Sequence, residues 1–245
     1  MLMGSDAKTI DELRRRMAAL PGRGEQATRR APAREPLRRE VLPVPAALAD
    51  LLPDGGLPKG AVVAYVGANA LLSGLLAAVT AAGGHAAVVG MPGLGLLATA
   101  EMGAQLSRLA VIPDPGPDPV EVAAVLLDGL DLVLLDLGGT SVAPARCRVL
   151  AARARNRAAT LLVTGGRWDN PTLRLDTRVT GYAGLGAGRG LLRSVCLDVR
   201  VRSRSGPPRH GRLDLCARAG RTEWRPGAGP DARRAGVAEA REAVS

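Results

Sequence analysis

The chain has 245 residues, 47% of them hydrophobic, which supports a sizeable buried core and excludes a disordered polymer. It has no Phe, two Tyr (Tyr65, Tyr182) and two Trp (Trp168, Trp224), too few rings for folds that stack bases on aromatic platforms. The formal charge is +10, almost all of its cations are Arg, and three dispersed Cys and two His offer no metal-ligand spacing.

Residues 9–20 are expected to form an amphipathic helix. Thr9 and Glu12 make a capping box, Ile10, Leu13, Met17 and Leu20 share one face, and Pro21-Gly22 ends it. So short a helix is marginal alone, so its stripe rests either on this chain's core or on a neighbouring molecule, a route to self-assembly. Residues 21–40 carry almost no large apolar side chain and read as a flexible basic linker. The N-terminal domain is therefore set at 1–43, and the start lacks the apolar run of a secretory leader.

A core is expected over 44–218. Residues 45–52 suggest a short helix, and 53–60 (PDGGLPKG) is dense in turn formers. An α/β rhythm follows: a strand at 61–66, a loop at 67–69, a helix over 70–82, a strand at 86–89, a helix over 95–107 and a strand at 109–112. Asp118 should cap the next helix, with Pro119 at its first position. Residues 132–137 form a fourth strand, 144–158 a basic helix and 160–164 a fifth strand. Strands at 172–182, 191–203 and 209–217 then follow without helices between them, which makes them antiparallel additions to a mostly parallel sheet. From Ala219 a disordered tail is expected, with 231–243 transiently helical. Gly60 to Ala100 lacks any Asp, Glu, Lys or Arg, so a membrane hairpin over 61–82 and 86–100 is a rival. Its glycines and the shortness of the second run argue against it, and no membrane partner is expected.

Strand, glycine loop and helix is where nucleotide-binding folds cradle phosphate. A working P-loop reads GxxxxGK[ST]. Residues 67–74 keep Gly67, but Leu72 stands at the second glycine, Ser73 at the lysine and Gly74 at the hydroxyl. No basic residue lies between Lys59 and Arg108. The expectation is a loop with the geometry of a P-loop without its charge, no nucleotide cofactor and no catalytic residue.

The stretch 51–66, LLPDGGLPKGAVVAYV, resembles the segment entering the P-loop of the RecA recombinase family, and the later element order, LSRL (106–109) and DLVLLD (131–136) continue the likeness. The resemblance implies a RecA-like core and makes Asp136 a Walker B remnant; an Asp at a strand end before Gly138-Gly139 also serves as a turn residue. The glutamate that the family uses for catalysis is lacking: residues 90–93 are Gly-Met-Pro-Gly. The regions matching the family's two DNA-binding loops shrink to about 138–143 and 165–171.

Within that superfamily the chain is most similar to the actinobacterial mutasome proteins ImuA and ImuA-prime. AVVGMPGLGLLATAE (87–101), VIPDPG (111–116), VAAVLLDGLDLVLL (122–135), LAARARNRAATLLVTG (150–165) and the arginine-rich strands after GLGAGRGLLR (184–193) carry this likeness. It implies a non-catalytic accessory protein of damage-induced, mutagenic translesion synthesis. The implied partners are an ImuB-like relative of Y-family polymerases and, indirectly, an error-prone DnaE-type polymerase. The alternative is an unorthodox nucleotide-dependent recombination or repair ATPase. The cysteine usage fits a reducing cytoplasm, and the resemblance implies association with the nucleoid.

Charge locates the contact surface. Residues 1–40 hold 10 basic and 6 acidic groups, residues 41–188 hold 10 and 11, and residues 189–225 hold 10 and 3. GC-rich codon usage explains part of the Arg excess but not its clustering. Arg146, Arg148, Arg153, Arg155 and Arg157 line the basic helix, which is either a DNA contact or a solvated face. Arg189, Arg193, Arg200, Arg202, Arg204, Arg209 and Arg212 crowd the last strands with only Asp198 and Asp214 nearby. Alternation is expected to place Arg200, Arg202 and Arg204 on one sheet face, for either DNA or an acidic protein partner. Trp168 and Trp224 are read either as partner anchors or as packing.

Overall fold

Five short apolar runs build the parallel half of one sheet: β3 (Val62–Val66), β4 (Ala86–Val89), β5 (Leu109–Ile112), β6 (Leu132–Asp136) and β7 (Thr160–Thr164). They are apolar at nearly every position because helices cover both faces. The computed structural model describes residues 40–184, 192–218 and 221–227. The helix expected over 9–20, the basic linker, Arg189 and the helix suggested at 231–243 lie outside the described residues.

Before the sheet come β1 (Val41–Leu42), the one-turn helix α1 (Ala46–Ala49) and β2 (Leu57–Pro58), which pairs antiparallel with β1. The turn-rich 53–60 segment thus contains a two-residue strand, made by pairing with β1 and not by its local turn chemistry. Helix α2 (Asn69–Ala81) follows β3, and α3 (Leu96–Glu101) follows β4. The helix expected to run to 107 stops at 101; Gly103 takes a left-handed φ of +98°, and a single 3-10 turn at Leu106–Arg108 leads into β5. Asp118 caps α4 (Pro119–Leu126), accepting from the Glu121 N–H at 3.1 Å. Helix α5 (Pro144–Arg157) precedes β7.

The antiparallel additions are β8 (Leu173–Ala183), β9 (Ser194–Ser203), β10 (Arg209–Arg218) and β11 (Arg221–Pro226), the last lying in what reads as tail by sequence. Cross-strand pairing with β10 orders it. The nine strands run β11-β10-β9-β8-β3-β7-β6-β4-β5, with β8 parallel to β3 and the next three antiparallel in turn. This is a mixed, mostly parallel α/β sheet with an antiparallel C-terminal wing.

Two cores flank it. On one side α1 and α2 bury Leu48, Leu71 and Leu75 against Val63, Leu175, Val199 and Leu213. On the other, α4 and α5 bury Leu127, Leu150 and Ala154 against Val62, Val133 and Leu161. The apolar segment that suggests a membrane hairpin by sequence forms β3, the 13-residue helix α2 and β4, buried in these cores. Among the described residues no helix is long and apolar enough to cross a membrane.

Candidate functional site

The turn after β3 is closed. Helix α2 begins at Asn69, two residues past Gly67, so Leu72, Ser73 and Gly74 are buried helical positions and not part of a loop. A phosphate-wrapping loop needs the residues between its two glycines free of the helix. The expected P-loop geometry is thus corrected: its length is missing as well as its charge. Gly67 has φ +124°, and a Cβ there would overlap the carbonyl and hydroxyl of Thr177 on β8. The Ala68 N–H donates to Thr177 Oγ1 (2.8 Å), which also lies 2.8 Å from the Tyr65 hydroxyl. Tyr65 in turn donates to the Ala68 carbonyl. Burial pushes the Tyr65 phenol far above its ordinary range, partly countered by the bond with Thr177. A backbone donor that would face a phosphate is tied down by the chain's own hydroxyl.

Gly74 has a packing role. A side chain there would overlap the Trp224 indole, which rests on α2 from β11. Trp168 is buried in the core under α4 and α5. Both tryptophans are packing residues in this structure.

Asp136 ends β6, where its Oδ1 accepts from the Gly138 N–H (2.9 Å). A Cβ at Gly165 would overlap the same oxygen. The carboxylate therefore braces the turn between Asp136 and Gly138, the simpler of its two sequence readings.

On α5, three of the five arginines are tied to α4. Arg146 grips Asp118 at 2.7 and 3.0 Å, Arg153 grips Asp128 at 2.6 and 3.0 Å, and Arg157 reaches Asp128 at 3.1 Å. These guanidinium groups hold Asp118 below the usual carboxylate range and bring Asp128 down to about 2. The basic helix is largely occupied by its neighbour.

Strand register sorts the C-terminal arginines. Leu197, Val199 and Val201 of β9 face the core, so Arg200 and Arg202 point to the opposite side. Arg204 does not share their face: it lies in the turn past β9 and bonds the Asn170 carbonyl. Arg209 also departs from the expected cluster. Its guanidinium donates to the carbonyls of Asp50 (3.3 Å) and Leu52 (3.0 Å), just beyond α1. Arg193 precedes β9, where its N–H pairs with the Ala183 carbonyl, and its side chain is exposed.

The register also adds residues that spacing alone did not reveal. Asp176 of β8 stands opposite Arg200, Arg178 opposite Asp198, and Arg174 opposite Arg202; His210 and Arg212 of β10 complete the rows. Arg202 bonds Asp176 (2.6 Å) and Arg212 bonds Asp198 (3.0 Å). The repulsion expected between neighbouring arginines is thus partly answered within the chain. This face forms an open groove of about 620 Å³.

The class is a mixed α/β protein whose first strand–turn–helix is sealed and whose C-terminal wing presents a charged face. Residues 50–170 match the MT3502 N-terminal domain family. The chain is also 50% identical over 187 residues to "Uncharacterized protein Rv3395c" of Mycobacterium tuberculosis, covering 76% of this chain and 83% of that protein. The chain belongs to the family of that mycobacterial protein. The domain match ends before β8, so the charged wing lies outside it.

Proposed function

We propose that the protein is a RecA-like accessory scaffold of damage-induced, mutagenic translesion DNA synthesis that works without nucleotide hydrolysis. It binds an ImuB-like relative of Y-family polymerases and through it acts beside a DnaE-type polymerase at the nucleoid. The observation that carries the reading is the sealed turn: α2 starts at Asn69, and Thr177 Oγ1 takes the Ala68 N–H. The chain order of strand, turn, helix and the DLVLLD strand supports the RecA-like part of the reading, as does Asp136 at the end of β6.

Two measurements test it. Titration calorimetry with ATP and magnesium is expected to give no binding; micromolar affinity would favour the nucleotide-dependent alternative. Co-expression with an ImuB-like relative of Y-family polymerases is expected to yield a stable complex on gel filtration. Separate elution would remove the scaffold assignment.

A further inference from the structure

The outer face of β8–β10 is a charged surface that packing among the described residues does not explain. The helices of that side, α4 and α5, pack on β4, β6 and β7, leaving Arg178, Arg200, Arg202 and His210 exposed. Between Arg174 and Arg178 the rows hold five guanidinium groups and two carboxylates. Asp176 and Asp198 are committed to Arg202 and Arg212. Arg174, Arg178 and Arg200 make no ion pair with another described residue.

Their spacing is set by the sheet. Arg200 sits on the diagonals to Arg174 and Arg178, at roughly 7–8 Å between backbones. Arg178 and Arg200 line the groove and Arg174 extends the row beyond it on the same face, so the three cations are spaced on the scale of successive phosphates in one strand. Arg forks suit phosphate oxygens.

The groove also lacks what other ligands need. Small-molecule pockets are lined mainly by apolar groups, whereas this one is lined by Arg, Asp and His with only Val199 as a large apolar residue. Protein interfaces draw much of their affinity from buried Trp, Tyr and Arg anchors; these rows offer arginines but no aromatic anchor to pack beside them. The groove also has no Phe, Tyr or Trp on which a base could stack.

We propose that the face built by Arg174, Arg178 and Arg200 binds the phosphodiester backbone of a single nucleic-acid strand without regard to base sequence. The inference deepens the scaffold reading and rests on it for taking that strand to be DNA. Asp176 and Asp198 hold Arg202 and Arg212 as fixed walls, and the three remaining arginines neutralise phosphate.

The test is fluorescence anisotropy of the full chain with labelled dT20 and dA20. Both are expected to bind alike, with log affinity falling against log salt at a slope of about −2, from three phosphate contacts. Arg178→Gln with Arg200→Gln should lower affinity roughly tenfold and take the slope toward about −1. Arg178→Lys with Arg200→Lys should keep most of both. Each single Gln variant, checked by circular dichroism, serves if the double variant does not fold.

Absence of dT20 binding at low salt, or unchanged affinity and slope in a folded Gln variant, would overturn the proposal. Competition by polyglutamate as effective as by unlabelled dT20 would also overturn it and point to an acidic protein. Co-purification with the ImuB-like protein separates the two levels. DNA binding without that complex sinks the scaffold reading alone; the complex without DNA binding sinks only this assignment.

Discussion

The indole of Trp224, on the last strand, fills the space that a side chain at Gly74 would need. One residue belongs to the second turn of α2 and the other to β11, 150 positions later in the chain, so the helix after the first strand is packed by the end of the fold. Replacing a helical glycine by alanine ordinarily gains about 0.5–1 kcal/mol. Here Gly74→Ala should instead cost about 1–3 kcal/mol through overpacking. In a Trp224→Ala background the same change should become neutral or stabilising. Urea unfolding of the four chains of this cycle reads the coupling, and simple additivity would show that the contact carries no energy.

Thr177 closes the turn at Gly67. Thr177→Val should cost about 1–3 kcal/mol because it leaves the Ala68 N–H unpaired in a half-buried site. Thr177→Ser should restore most of it. Neither change should create ATP binding, since the helix would still begin at Asn69.

Tyr65 sets an alkaline limit. Its folded pKa lies above the ordinary 10.0, because burial disfavours the phenolate. The unfolded chain therefore releases this proton first, so stability is complete below about pH 10 and declines as pH rises beyond it. Spectrophotometric titration should show Tyr65 ionising only with unfolding; its ionisation in the folded chain near the ordinary value would contradict the buried placement.

Asp128 gives the acid counterpart. With its carboxylate brought down to about 2 by Arg153 and Arg157, its contribution is present above the ordinary 3.8 and lost as pH falls from there to about 2. Asp128→Asn should flatten the dependence of the melting temperature on pH in that window. The pair is solvent-exposed, so the effect should also shrink in high salt.

Arg209 separates structure from binding within the arginine cluster. Arg209→Gln loses donors to the Asp50 and Leu52 carbonyls and should cost about 1 kcal/mol. Its effect on dT20 affinity should be much smaller than that of Arg178→Gln. Equal losses would mean that charge in general, not the face, governs binding.

Much of the fold was legible in the chain. The apolar runs of β3, β4, β6 and β7 and the Asp118-Pro119 start of α4 are local signals, and each appears where its residues direct. The lack of a phosphate lysine between Lys59 and Arg108 was equally plain. The early stop of α3 was harder, because Gly103 is tolerated inside a helix and only the path to β5 requires its left-handed turn. Strand β11 was hidden because RTEWRP carries a single large apolar residue, Trp224, and pairs only against β10.

The site divides along the same line. Sequence alone determined that positive charge avoids the first turn and gathers in the last strands, since charge and composition do not depend on folding. Tertiary structure decided which of those arginines act together. It sent Arg204 into a turn and Arg209 behind the sheet, and it brought Asp176, Arg174 and Arg178 beside Arg200. The physical reason is register: alternation along a strand is local, but which residues face each other across strands depends on how distant segments pair.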